Sequence, residues 1–203
     1  MTTICVFCGS SMGNHPVYRQ AAQDVAGFFV KHDIRMVYGG ASVGLMKILA
    51  DTLLENNKEV IGIMPGLLID KEVAHNGITR LIEVKSMAER KVKMVEMSDG
   101  FMALPGGFGT FDELSEVLIY NQLHVMDKPV GILNTAGYFD KMLAFFDHAV
   151  KEGFVRAEHR NNLLVSDDVE TLFGMMEKYH PVSMGKWLED IKAESKESRE
   201  AGR

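Results

Sequence analysis

Residues 100–113, Gly-Phe-Met-Ala-Leu-Pro-Gly-Gly-Phe-Gly-Thr-Phe-Asp-Glu, constrain the fold more than any other stretch. An apolar run from Phe101 to Leu104 stops at Pro105, and three glycines follow within four positions. Thr110 then opens a long helical pattern with Asp112 in its first turn. A short continuous apolar run bounded by turn residues reads as a strand covered on both faces. Strand, glycine turn and helix start make a seat for phosphate. Glycine lets the backbone approach an anion, and the free N–H groups of the first helical turn point at it.

The same alternation runs through the chain. Apolar runs at Ile4–Phe7, Met36–Tyr38, Val60–Met64, Arg80–Val84, Phe101–Leu104, Val130–Leu133 and Leu163–Val165 read as strands. Helical patterns follow at Pro16–Lys31, Val43–Asn56, Met87–Met97, Thr110–His124, Tyr138–Glu152 and Val169–Tyr179. An irregular loop spans roughly Leu67 to Gly77. Strands alternating with helices predict an α/β fold: one parallel sheet with helices on both faces, joined by right-handed crossovers. At 203 residues the chain fits one domain, taken as residues 1–180. The charged segment 181–203 lacks an apolar face and is expected to be a frayed or disordered tail. In such folds ligands bind beyond the carboxyl ends of the strands. Gly9-Ser10-Ser11, Gly39-Gly40-Ala41-Ser42 and Gly106-Gly107-Phe108-Gly109 stand at three of those ends and are expected to line one crevice.

Several function classes are excluded. A net charge of −6 argues against nucleic acid or an anionic membrane as partner. The N-terminus shows no basic segment ahead of an apolar core, no apolar run reaches a membrane span, and two cysteines are too few for a disulfide framework. A cytoplasmic protein is expected. The Gly9 turn lacks dinucleotide spacing, and Leu45 stands where a P-loop needs lysine. Cys5 and Cys8 are three apart on a strand, so they point to opposite faces. The histidines show no zinc spacing. No metal and no cofactor are expected.

Met87–Met97 carries a second signal. At helical spacing its apolar residues gather on one arc, and Arg90 and Lys91 fall inside that arc. Either both stems pack there while the charges reach water, or the cations meet a buried anion. Ser86 and Glu89 have capping-box spacing, which would fix the helix start and aim Arg90. Thr110 and Glu113 share that spacing, so Glu113 is either a cap or a carboxylate directed into the crevice.

With Met87-Ala88-Glu89-Arg90-Lys91 and Pro105-Gly106-Gly107-Phe108-Gly109-Thr110-Phe111-Asp112-Glu113 in hand, the chain resembles the LONELY GUY family of cytokinin riboside 5′-monophosphate phosphoribohydrolases. Members are often labelled lysine decarboxylases. The resemblance runs from about Ile4 to Tyr179 and includes the Phe7–Ser11, Tyr38–Gly40 and Gly44–Met46 steps. It implies a Rossmann-like sheet and a homodimer or larger assembly. It implies hydrolysis of a nucleoside 5′-monophosphate to free base and ribose 5-phosphate. It implies Arg90 and Glu113 as the catalytic pair, residues 107–113 as the phosphate loop, and Glu72, Arg90 and Lys91 as substrate contacts. Ser10, Gly39, Gly40, Gly106, Gly107, Phe108, Gly109 and Thr110 complete the expected binding set. Lys47 stands where the family has glycine. Ile119-Tyr120-Asn121 replaces a Thr-Trp-Ala-like stretch, and His124-Val125-Met126 replaces Gly-Ile-His.

Breaking an N-glycosidic bond develops positive charge on the sugar. A fixed carboxylate stabilises that charge and can activate water. Glu113 is expected in that role, with Arg90 either keeping it ionised and oriented or binding substrate oxygens. The expected substrate is a purine monophosphate carrying adenine or an N6-modified adenine. The alternative is a nucleotide-binding carrier or sensor without catalysis. A pyridoxal-dependent decarboxylase is a weaker alternative, because no lysine has a recognisable cofactor setting. The helix after the glycine turn is apolar almost all round, which fits either full burial or a subunit interface.

Overall fold

A computed structural model describes residues 1–69 and 74–181. Glu72 and the tail from residue 182 onward lie outside the described residues. Seven strands form one sheet: β1 (Thr3–Phe7), β2 (Arg35–Tyr38), β3 (Val60–Pro65), β4 (Arg80–Val84), β5 (Gly100–Ala103), β6 (Val130–Leu133) and β7 (Leu163–Ser166). Their spatial order is β4-β3-β2-β1-β5-β6-β7, and every pairing is parallel. The helices are α1 (Pro16–Lys31), α2 (Gly44–Glu55), α3 (Gly66–Ile69), α4 (Met87–Glu96), α5 (Phe108–Gln122), α6 (Asp140–Lys151), α7 (Ala157–Asn161) and α8 (Val169–Glu177).

Side-chain alternation along β1 divides the core in two. Ile4, Val6 and Cys8 face one layer with α1, α2 and α8, through Ala22, Val25, Phe29, Leu49, Leu53 and Leu172. Cys5 and Phe7 face the other, with Phe101, Met94 of α4 and Leu114 and Val117 of α5. Strands β1, β3, β5 and β6 are buried along their whole length, as their unbroken apolar runs require. Each fully buried large apolar side chain contributes about 1.5–3 kcal/mol before chain entropy is counted. The two cysteines are buried free thiols in different layers, as the strand period predicts.

Strand order reverses direction at β1. From β1 the chain builds outward through β2, β3 and β4, then returns to place β5 on the other side of β1. Crossovers therefore diverge between β1 and β5, and their carboxyl ends open a crevice. Register sets Phe7 opposite Ala103, so the turns that follow, at Gly9 and Gly106, start level with each other. The Gly9 N–H donates to the Pro105 carbonyl at 3.0 Å and ties them together.

Two local details, the start of α5 and two short helices, differ from the sequence expectation. Helix α5 begins at Phe108, two residues before Thr110. Gly107 is its N-cap, in extended geometry, and the Phe111 N–H donates to the Gly107 carbonyl at 3.0 Å. Glycine is an acceptable N-cap, so Phe108 and Gly109 enter the helix instead of belonging to the turn. The capping-box alternative for Thr110 and Glu113 is thereby removed. The long loop opens on a helical turn, α3, and α7 adds another short helix before β7. Helix α1 is capped by the imidazole of His15, whose Nδ1 accepts from the Val17 N–H at 3.2 Å.

Candidate active site at the reversal of strand order

The site is built from two helices on one layer of the sheet. Helix α4 starts at Ser86, whose hydroxyl accepts from the Glu89 N–H at 3.1 Å. The Glu89 carboxylate reaches back to the Lys85 N–H at 2.7 Å. At the far end, the Lys128 ammonium donates to the carbonyls of Val95 and Ser98 at 2.8 and 2.7 Å. A helix held at both termini aims its side chains reproducibly.

Arg90 of α4 meets Glu113 of α5, with Nη2 and Oε1 3.5 Å apart. The side chains are only 11 and 13% exposed. Removal from water favours the neutral carboxyl, so burial pushes the Glu113 pKa up to about 7, against the pull of the Arg90 guanidinium. Arg90 has donor capacity to spare. Its Nη1 lies 3.7 Å from the Met87 sulfur, and its Nε is buried with no hydrogen-bond partner among the described residues. Leaving a buried guanidinium N–H unpaired is costly, and a substrate oxygen would relieve that cost.

Gly39, at the end of β2, makes this arrangement possible. A Cβ there would lie 2.1 Å from Arg90 Nη2. Gly39 therefore admits the arginine. Gly40 serves the backbone: its φ is +80°, and its carbonyl accepts from the His75 N–H at 2.8 Å.

Lys91 takes a different direction. Its ammonium pairs with the Glu116 carboxylate and lies 3.4 Å from Asp112 Oδ2. The hydrogen bond to Glu116 raises the Lys91 pKa. The two cations inside the apolar arc thus both meet carboxylates of α5. Tyr120 donates to Glu116 at 2.6 Å, and the Asn121 side chain donates to the Lys128 carbonyl at 2.7 Å. Ile119 is half exposed. Lys47 pairs with Asp51 at 2.7 Å, and His75 Nε2 lies 2.8 Å from Asp51 Oδ1.

Beyond the ends of β1 and β5 a cavity of about 240 Å³ opens, and neither Arg90 nor Glu113 lines it. Gly9, Ser10 and Ser11 line it from one turn and Pro105, Gly106 and Gly107 from the other. The first and third of the three glycine turns therefore share a crevice, while Gly39 of the second lies against Arg90. A Cβ on Gly106 would come within 2.8 Å of the Gly9 N and 2.1 Å of the Thr110 hydroxyl, so only glycine fits between the turns. Thr110 is buried beneath the loop. Phe108 is 96% exposed and Gly109 is exposed; neither lines the cavity. Tyr18 and Tyr138 complete its wall. Sequence pattern did not single them out, because a tyrosine in a helix and one in a turn carry no spacing signal. A second cavity, about 180 Å³, lies among α5, α6, α7 and β7 and is lined by none of the expected site residues.

The chain is similar to known proteins over most of its length. The family described as possible lysine decarboxylase matches residues 46–176. The chain is 43% identical over 178 residues to cytokinin riboside 5′-monophosphate phosphoribohydrolase LOG2 of Arabidopsis thaliana, covering 88% of this chain and 84% of the relative. It is 44% identical over 179 residues to the probable enzyme of the same description, LOGL9, of Oryza sativa subsp. japonica, covering 88 and 79%. Among solved structures, the molybdenum cofactor binding protein of Rippkaea orientalis superposes with a TM-score of 0.66 at 19% identity, covering 87% of this chain and 96% of that one. The molybdenum cofactor carrier protein of Chlamydomonas reinhardtii gives 0.65 at 18%, with the same coverage. These two likenesses show the shared fold. On the sequence matches, the chain belongs to the LONELY GUY family.

Proposed function

We propose that the protein hydrolyses the N-glycosidic bond of a purine nucleoside 5′-monophosphate, with adenine or an N6-modified, cytokinin-type adenine as base. The observation that carries this reading is the buried Arg90–Glu113 pair, with Glu113 on the helix whose N-cap, Gly107, lines a glycine-walled cavity. The relatives' names point to the same reaction. The 5′-phosphate sits against Gly106–Thr110 and the start of α5, where free N–H groups and the helix dipole favour an anion. Ser10 lines the same crevice. Glu72 belongs to the proposed substrate contacts by family resemblance.

The chemistry follows from Glu113. A carboxyl whose pKa is about 7 is divided between both forms near neutrality, the condition under which it can take and give a proton. Ionised, it stabilises the positive charge growing at C1′ as the bond to the base stretches. It then accepts a proton from the water whose oxygen bonds to C1′. The base leaves with the electron pair of the broken bond and takes up one proton. The products are free base and ribose 5-phosphate. Arg90 stays charged throughout and so cannot act as the acid. Its role is to orient Glu113 and to donate to substrate oxygens.

A homodimer is part of the same proposal. Phe108, Phe111, Ile119 and Leu123 of α5 and its C-cap, with Met87 and Val92 of α4, leave apolar surface exposed around the site. A second copy of the chain is the proposed cover. Sedimentation at micromolar concentration is expected to give a dimer or larger species, and a monomer would count against it.

The test is incubation with adenosine monophosphate and with its N6-prenylated form, with assay for free base and ribose 5-phosphate. Release of both products by the native chain and loss of release in Glu113→Gln are expected. Tight binding of either nucleotide without product would leave a nucleotide-binding protein and remove catalysis.

A further inference from the structure

The glycine turn is held in place by a side chain outside the family motifs. Tyr138 stands in the connection after β6. That connection is closely built: the Phe139 N–H donates to Asn134 Oδ1 at 2.8 Å, and the Asn134 side-chain amide donates to Asp140 Oδ1 at 2.7 Å. Ala136 has φ +52°, a left-handed conformation that a non-glycine residue adopts only when its surroundings impose it. The result is that the Tyr138 hydroxyl donates to the Gly106 carbonyl at 2.6 Å, across 32 residues of chain. The ring is braced edge-on by Phe139 at 5.0 Å and by Tyr18 at 5.6 Å between centroids. Tyr18 in turn stands beside His15, the cap of α1.

We propose that Tyr138 is a positioning residue that fixes the direction of the Gly106–Gly107 peptide in the phosphate seat. In a trans peptide the C=O and the following N–H point opposite ways. Anchoring the Gly106 carbonyl on Tyr138 therefore turns the Gly107 N–H away from the tyrosine. This peptide has glycine on both sides, so its rotation meets little intrinsic resistance. Gly106 is packed between Gly9 and Thr110, but the Gly107 end is open, since a Cβ there would meet no atom within 4 Å. The hydrogen bond adds the directional restraint that opposes a flip at that end. A flipped peptide would present a carbonyl oxygen where the seat presents an N–H, and it would repel a phosphate instead of binding it. With its own proton committed to Gly106, Tyr138 does not donate to the ligand.

The inference rests on Gly106–Thr110 being the phosphate seat. Tyr138→Phe tests it, because the ring and the cavity wall stay and only the hydroxyl goes. Three readouts are needed: kcat and KM for adenosine monophosphate, Kd for ribose 5-phosphate by calorimetry, and thermal stability. KM and Kd are each expected to rise about tenfold, equivalent to about 1.4 kcal/mol, with kcat changed by no more than about twofold. A lowered melting temperature with KM and Kd unchanged would make the bond merely structural and overturn the proposal. A fall in kcat at unchanged KM would place the hydroxyl in the chemistry and overturn it too. Failure of the native chain both to cleave the nucleotide and to bind ribose 5-phosphate would remove the phosphate seat itself. That failure shows in the unaltered protein, so it is distinguishable from failure of the latch.

Discussion

Gly39 and Arg90 occupy what is nearly the same space: a single carbon added to the glycine would sit 2.1 Å from the guanidinium Nη2. The end of β2 and the middle of α4 are thus complementary, and the arginine reaches Glu113 only because the strand end carries no side chain.

Gly39→Ala is therefore expected to displace Arg90 with little harm to the fold. The clash is with the far end of a flexible side chain, and Gly39 does not have a left-handed φ. Turnover should fall by about tenfold or more, as misplacing a group that aids the transition state costs at least ~1.4 kcal/mol. Unchanged kcat with an unchanged melting temperature would show that Arg90 has room to spare.

Glu113→Gln should abolish turnover yet make the protein more stable in mildly alkaline buffer. The folded-state pKa of Glu113 is raised to about 7 from an ordinary 4.5. Between those values the native state holds a proton that the unfolded chain has released, so stability falls as pH rises through that window. Glutamine carries no such penalty. Melting temperatures of variant and native protein should diverge as pH rises from about 5 to about 8, in the variant's favour. Parallel curves would refute the burial cost.

Arg90→Ala removes the charge that pulls the Glu113 pKa down. The rising limb of the pH–rate profile should move to higher pH, and the rate should drop at every pH. The profile of kcat/KM in the free enzyme reports this directly. A limb that stays in place would mean that the profile follows another group.

Lys91→Met is expected to act on stability. It leaves the Glu116 carboxylate, 22% exposed, without its cation, and it also frees Asp112. The pair is partly solvated, so the loss should be about 1 kcal/mol in urea denaturation. A larger effect on KM than on stability would place Lys91 with the substrate instead.

Much of this protein was legible along the chain. Unbroken apolar runs ended by glycine or proline and followed by helical periods determined a parallel sheet with helices on both faces, because local burial pattern and turn chemistry are written residue by residue. Arg90 and Lys91 inside an apolar arc raised a buried carboxylate or phosphate partner beside the alternative that both charges reach water, and helical period alone left that choice open. The partners themselves came from tertiary structure. Arg90 meets Glu113 while its neighbour Lys91 meets Glu116, a choice set by how α4 packs against α5 and by the space Gly39 leaves. The start of α5 also moved to Phe108, where Gly107 caps the helix and its carbonyl accepts from the Phe111 N–H, while the Pro105 carbonyl accepts from the Gly9 N–H. Tyr138 is the clearest case. Its hydroxyl acts 32 residues away, on a carbonyl that no local pattern connects to it, and only the return of β6 alongside β5 brings the two together.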